Sequence, residues 1–138
     1  MPEDFMNWAL GIVSVVDDAR ALARCTLPDK DRVETFWLQV IQPGTQRDKA
    51  YWLPDVGEQV VCLLDDSAEN GIILGAIYSA TDVAPVSTRN KKHIRFDDGT
   101  TIEYDRAASL LSISVQGAIT ITATGNISIT GANIYLND

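Results

Sequence analysis

Apolar residues recur at every second position along most of this chain, and no segment carries the three-to-four spacing of a helix. "LGIVSVV" (10–16) and "ALARCTL" (21–27) flank "DDAR", which predicts a hairpin turning at Asp17 and Asp18. "TFWLQVI" (35–41) predicts a third strand, ended by a loop that holds Pro43 and Gly44. Beyond "AYWLPDVG", the run "EQVVCLL" predicts a strand with Val60, Cys62 and Leu64 on one face and Val61 and Leu63 on the other, apolar on both sides and so expected to be covered on both. Asn70-Gly71 predicts a tight hairpin into "IILGAIYS" (72–79). About five short antiparallel strands within residues 1–79 suit a small closed barrel of the OB-fold kind better than a sandwich of seven or more, because closure removes exposed edges.

The pattern changes after Tyr78. "SATDVAPVSTRNKK" is polar and contains Pro85, so residues 80–92 are expected to be a linker. "HIRFDDGTTIEYD" predicts a hairpin turning at Asp98-Gly99, with Ile94 and Phe96 facing Ile102 and Tyr104, and a second turn at Asp105-Arg106 leads into "LLSISV". From there apolar residues come in pairs two apart: Ile113/Val115, Ile119/Ile121, Ile127/Ile129 and Ile134/Leu136, separated by Gly117, Gly125 and Gly131. The pairs follow one another at six to eight residues, the signature of repeated strand-and-turn units.

Such units are too short for a single-chain solenoid, whose coils take about 20 residues each. One strand per repeat makes one wall of a prism, and a threefold axis closes it by bringing the same isoleucine row together from three sides. Burial is worth roughly 1.5–3 kcal/mol per isoleucine, none of which a lone ribbon collects. The fold expected from the pattern is therefore all-β: an OB-fold barrel over 1–79, a linker over 80–92, and over 93–138 an intertwined trimeric three-stranded β-helix whose core is Ile113, Val115, Ile119, Ile121, Ile127, Ile129, Ile134 and Leu136. Thr and Ser at 112, 114, 120, 122, 124, 128 and 130 alternate with that row and are expected to face solvent, giving a stiff, smooth rod.

Charge narrows the partners. The net charge is −8, with 13 acidic against 6 basic side chains in residues 1–80, a sign that repels phosphate backbones and argues against nucleic acid. Trp37 and Trp52 therefore read as core or interface residues rather than base-stacking platforms. The beginning "MPEDFMNWAL" is acidic where a secretory signal is basic, and no apolar run reaches the roughly 18 residues of a membrane span, so a cytosol-like compartment is expected. Cys25 and Cys62 match no metal spacing and read as small buried hydrophobes.

No enzyme is expected: the chain has no Gly-x-Ser-x-Gly, no His-Glu-x-x-His and no P-loop. The acid pairs Asp17/Asp18, Asp65/Asp66 and Asp97/Asp98 sit at expected turns, where Asp is favoured by bonds to its own backbone. "FDDGTTIEYD" lacks the alternating ligands and twelve-residue span of a calcium loop. His93, the single histidine, reads as a satisfied polar residue, with an axial site of three copies as the sharper alternative.

"GIVSVVDDARALARCTLPD", "WLPDVGEQVVCLL", "NGIILGAIYS" and "FDDGTTIEYD", in that order, resemble the baseplate assembly protein V family of contractile-tailed phages, which is similar to the spike core of VgrG in type VI secretion. The resemblance runs from Gly11 to the end, and "PDVGEQV" with the "NGIILGAIYS" segment carries its specificity. It implies an OB-fold barrel, a linker and a trimeric β-helix at the tip of the tail tube, in the virion baseplate after assembly in the host cytoplasm. It also implies a mechanical role, puncturing the target cell envelope, with the barrel docked on baseplate hub proteins. Relatives that end in His-x-His bind an apical iron, but here the last residues "NIYLND" offer only the oxygens of Asn137 and Asp138, so neither an ion nor a cofactor is expected. At roughly 5 Å per rung the rod reaches about 20–35 Å, short of the roughly 40–45 Å of a bilayer. A separate PAAR-like tip protein is therefore expected on its end. The rival readings are a carbohydrate- or surface-binding trimeric β-module, and the equivalent spike of a secretion system or a phage-derived bacteriocin.

Overall fold

The computed structural model describes residues 6–137; residues 1–5 and Asp138, one of the two residues whose oxygens the sequence offers as ligands, lie outside the described residues. The chain divides into two compact units, Met1–Ala84 and Pro85–Asp138. The boundary falls inside the expected linker 80–92, and the first strand of the second unit begins at Lys91, two residues before the spike was expected to begin.

The first unit holds β1 (Asn7–Asp17), β2 (Leu22–Leu27), β3 (Val33–Glu34), β4 (Leu38–Val40), β5 (Gln59–Leu64) and β6 (Gly71–Ala76). Strands β1, β5, β6, β4 and β2 follow one another around a sheet, and β1 also pairs with β2, so five strands close on themselves while β3 extends β2. The circuit is possible because β1 is long and shared. Its residues 7–12 pair with β5, its residues 12–17 pair with β2, and a register shift between Val13 and Val15 bends the strand between them. The parallel pairing of β4 with β6, Gln39 to Ile72 and Val40 to Ile73, completes the ring. This is the five-stranded barrel of an OB-fold.

Alternation delivers the core. Cys25 and Leu27 on β2, Leu38 on β4, Val60, Cys62 and Leu64 on β5, and Ile73 on β6 are all buried, together with Val13 and Ala23. Val61 and Leu63, on the opposite face of β5, are only half-buried, because a barrel wall has one inside and nothing in this chain covers its outside fully. The two thiols are free and meet with their sulfurs 4.0 Å apart. They do so over Gly11, where an added Cβ would stand 2.9 Å from the Cβ of Cys25. The hydrogen bond to Cys62 and the burial push the Cys25 thiol far above its ordinary value, so it stays protonated.

Two expected features take a different form. The strand expected over 35–41 is only Leu38–Val40, with Val33–Glu34 pairing separately on β2. The interruption is Thr35: its buried hydroxyl accepts the Cys25 amide at 3.1 Å and donates to the Phe36 carbonyl at 2.8 Å, replacing a ladder bond by side-chain bonds. Thr35→Val leaves the Cys25 N–H without that acceptor and is expected to cost about 1–3 kcal/mol in urea unfolding, whereas Thr35→Ser keeps the acceptor and loses less.

The hairpin expected at Asn70-Gly71 exists, but Gly71 already pairs with Leu64, leaving a six-residue loop over 65–70 in place of a two-residue turn. Asp65 organises it by accepting from Ser67, the Glu69 amide and the Asn70 side chain, and the Asn70 bond foremost holds its carboxyl below the usual range. Gly71 is needed for proximity, since a Cβ there would lie 2.1 Å from the Leu63 carbonyl oxygen.

The second unit opens with a three-stranded antiparallel sheet of β7 (Lys91–Arg95), β8 (Thr101–Asp105) and β9 (Leu110–Ser114). The β7–β8 hairpin closes at Asp98-Gly99 as expected, with Gly99 at φ +91° and the Thr100 amide donating to Asp98 at 2.9 Å. Ile94 faces Ile102 as expected, while Tyr104 lies opposite Lys92 rather than Phe96. Residues 115–137 form no strand within the chain, although bends recur at 116–117, 124–125 and 132. A strand requires a ladder of hydrogen bonds to a neighbour, and among the described residues the ribbon has no such ladder in its own polypeptide, although the Gln116 amide donates to Thr100 Oγ1 at 3.1 Å.

Candidate functional site: uncovered apolar surfaces

In the three-stranded sheet, register pairing puts Ile94, Ile102 and Ile113 in one row across the strands, with Tyr104 and Leu111 beside them on the same face. Lys92, opposite Tyr104, shares that face, while the other face carries Lys91, His93, Glu103, Asp105, Leu110 and Ser112. For a sheet in water the burial is inverted: the polar face is half-buried and the isoleucine face is exposed. His93 Nδ1–H donates to Glu103 Oε1 at 2.8 Å, and Lys91 Nζ stands 3.8 Å from the same carboxylate. His93 is thus the satisfied polar residue expected from sequence, on the face opposite the isoleucines.

The exposure continues down the ribbon. Of the residues expected to form a trimer core, Ile113, Ile119, Ile121, Ile127, Ile129, Ile134 and Leu136 are all more than half exposed, reaching 73% at Ile121 and 83% at Leu136, while Val115 is half-buried. Within one chain they have an aligned pattern and no cover. Leu110, Leu111 and Tyr135 belong to the same exposed set and were not anticipated. Leu110 and Leu111 are adjacent and so break the alternation that marked the others.

The barrel carries a second apolar surface. Ile41, Tyr51, Trp52, Val56, Ile77 and Tyr78 are exposed along clefts that share Pro54, Asp55, Val56, Glu58 and Ala76, the largest about 630 Å³. The loop that presents them is pinned. The Gln42 amide donates to the Trp52 carbonyl at 2.9 Å and accepts its N–H at 3.0 Å, Tyr51 Oη donates to the Asp18 carbonyl, and Gly57 donates to the Val13 carbonyl at 2.8 Å. Trp52 therefore sits outside the core. Its counterpart Trp37 is half-buried beneath Arg20 and Arg24, 5.2 and 5.7 Å from the ring centroid, and those guanidiniums are already paired with Asp17 and Glu34. The cations around Trp37 are thus engaged within the chain.

The acid pairs sit at turns. Asp17 is held below the usual carboxylate range by Arg20, and Asp98 by the Thr100 amide. Among the described residues no cluster of three or more His, Cys, Asp or Glu side chains is arranged to hold a metal.

A closed five-stranded barrel followed by an uncharged repeat narrows the comparison with known proteins. Residues 9–78 match the type VI secretion system/phage-baseplate injector OB domain. The chain belongs to that family. The match of this injector OB domain begins in β1 and ends just after β6, so it covers the barrel circuit and stops before the second unit. The chain is also similar to the spike protein of Escherichia phage P2, with 35% identity over 97 residues that make up 70% of this chain and 46% of the relative. It therefore spans about half the length of that relative.

Proposed function

We propose that this injector OB-domain protein is the central spike of a contractile-tail baseplate, a structural trimer rather than an enzyme, resident in the virion tail after assembly in the host cytoplasm. The observation that carries the proposal is the uncovered isoleucine face of the second unit, continuous in type from the β7–β9 sheet into the ribbon 115–137. Three copies placed about a common axis cover that face and supply the hydrogen-bonding neighbours the ribbon lacks, as a three-stranded β-helix. With the isoleucines inward, His93 and Glu103 fall on the outside, which disfavours an axial site made of three histidines.

The second unit balances five acidic residues against five basic ones, and residues 107–137 carry no Asp, Glu, Lys or Arg. Along residues 107–137 such a rod brings no ionised side chain into hydrocarbon, in keeping with puncture of the target cell envelope. The exposed Tyr135 and Leu136 are the seat for a separate PAAR-like tip protein, and the barrel joins the baseplate hub. The equivalent spike of a type VI secretion system or a phage-derived bacteriocin is a second reading, favoured by the breadth of the matching family.

The decisive experiment is the mass of the purified full-length chain by light scattering at micromolar concentration. Three times 15.1 kDa is expected. A monodisperse monomer overturns the spike reading.

A further inference from the structure

We infer that the barrel surface formed by Trp52, Val56, Ile77 and Tyr78 with Asp55 and Asp82 is the docking site for a protein whose contact surface sets lysine or arginine around apolar side chains. The inference deepens the spike reading, since it rests on the barrel being the end that joins other baseplate components.

Three observations meet at this surface. The first is cost: Trp52, Val56, Ile77 and Tyr78 are more than two-fifths exposed beside a pinned loop and leave apolar surface in water, while the core of the barrel is built from other, smaller side chains. The second is composition. Exposed Trp and Tyr at a fixed backbone are the residues that concentrate binding energy at protein interfaces, and here the Gln42 clasp and the Gly57–Val13 bond fix that backbone in advance.

The third is sign. Asp18, Asp55, Glu58 and Asp82 line the joined clefts, and no lysine or arginine does. The unit as a whole has 14 acidic and 6 basic residues. The barrel of a second copy therefore brings the wrong charge to this face, whereas a cationic rim on a different protein brings the complementary one. The neutral second unit leaves the barrel as the seat of the entire net charge, so the attraction acts on this end of the chain alone.

The test uses the full-length chain and the other structural proteins of the same tail, each purified and immobilised singly as a probe. One of them is expected to bind, with affinity falling by roughly tenfold or more as salt rises from about 50 to about 300 mM. The double variant Asp55→Lys, Asp82→Lys and the single variant Tyr78→Ala are each expected to weaken that binding by about tenfold or more. Neither aspartate side chain makes a hydrogen bond that holds the barrel together, so an unchanged melting temperature confirms that both variants fold.

Undiminished binding by both variants overturns the inference, as does binding that ignores salt. Variants that lose the threefold mass instead show the face to be an interface between copies, which also overturns it. A wild-type trimer that binds none of the probes removes this inference and leaves the spike reading standing; a wild-type monomer removes the spike reading itself.

Discussion

Ile121→Asp is expected to dissociate the proposed trimer completely. Each chain loses roughly 1.5–3 kcal/mol of isoleucine burial, and three carboxylates must then share one layer of a dry core, at several kcal/mol apiece. A penalty near 10 kcal/mol over the trimer corresponds to about seven powers of ten in its equilibrium, enough to carry it from stable to absent at micromolar concentration. Sedimentation velocity reads the outcome as a fall from threefold to single mass. Thr122→Asp provides the contrast, because the next residue along an extended ribbon points the opposite way and its charge stays in water. Equal disruption by both variants, or by neither, removes the threefold packing from consideration.

Leu38→Ala is expected to cost about 2–5 kcal/mol of barrel stability, read as a urea midpoint lowered by about 1–3 M. Leu38 is fully buried and belongs to a strand of three residues that alone joins β2 to β6. The substitution opens a cavity at the seam where the ring has the fewest ladder bonds, so the wall has little means of collapsing onto it. Leu74→Ala, on the bulged and partly exposed position of β6, is expected to cost less than about 1 kcal/mol. A Leu38→Ala loss no larger than that of Leu74→Ala would place the stability of the ring elsewhere.

Much of the barrel was legible because alternation and turn residues agree. Val60, Cys62 and Leu64 read as one face and are one face, and Asp17-Asp18 turns the chain where the aspartates announce it. The misreadings share a cause: side chains did what the backbone was expected to do. Thr35 took a backbone amide with its hydroxyl and broke a strand that "TFWLQVI" seemed to continue. Asp65 built a six-residue loop where Asn-Gly suggested two, and the glycine served close packing against Leu63. Of the acidic and aromatic barrel surface only Trp52 was legible, as a core or interface residue, while Tyr51 and Val56 were not singled out. Large apolar residues interrupted by Pro54 and Gly57, in a segment where polar turn residues are usual, were the available signal. In the tail the isoleucine period was plain, but a period says which residues share a face and not what lies against it.

The bends at 116–117, 124–125 and 132 are eight residues apart, and Ile119 and Ile121 are followed at the same distance by Ile127 and Ile129. A shaft built on such a unit can be lengthened or shortened by whole modules while the barrel stays as it is. Its reach is thereby adjustable in discrete steps, set by gene duplication of one short segment and not by redesign of the fold.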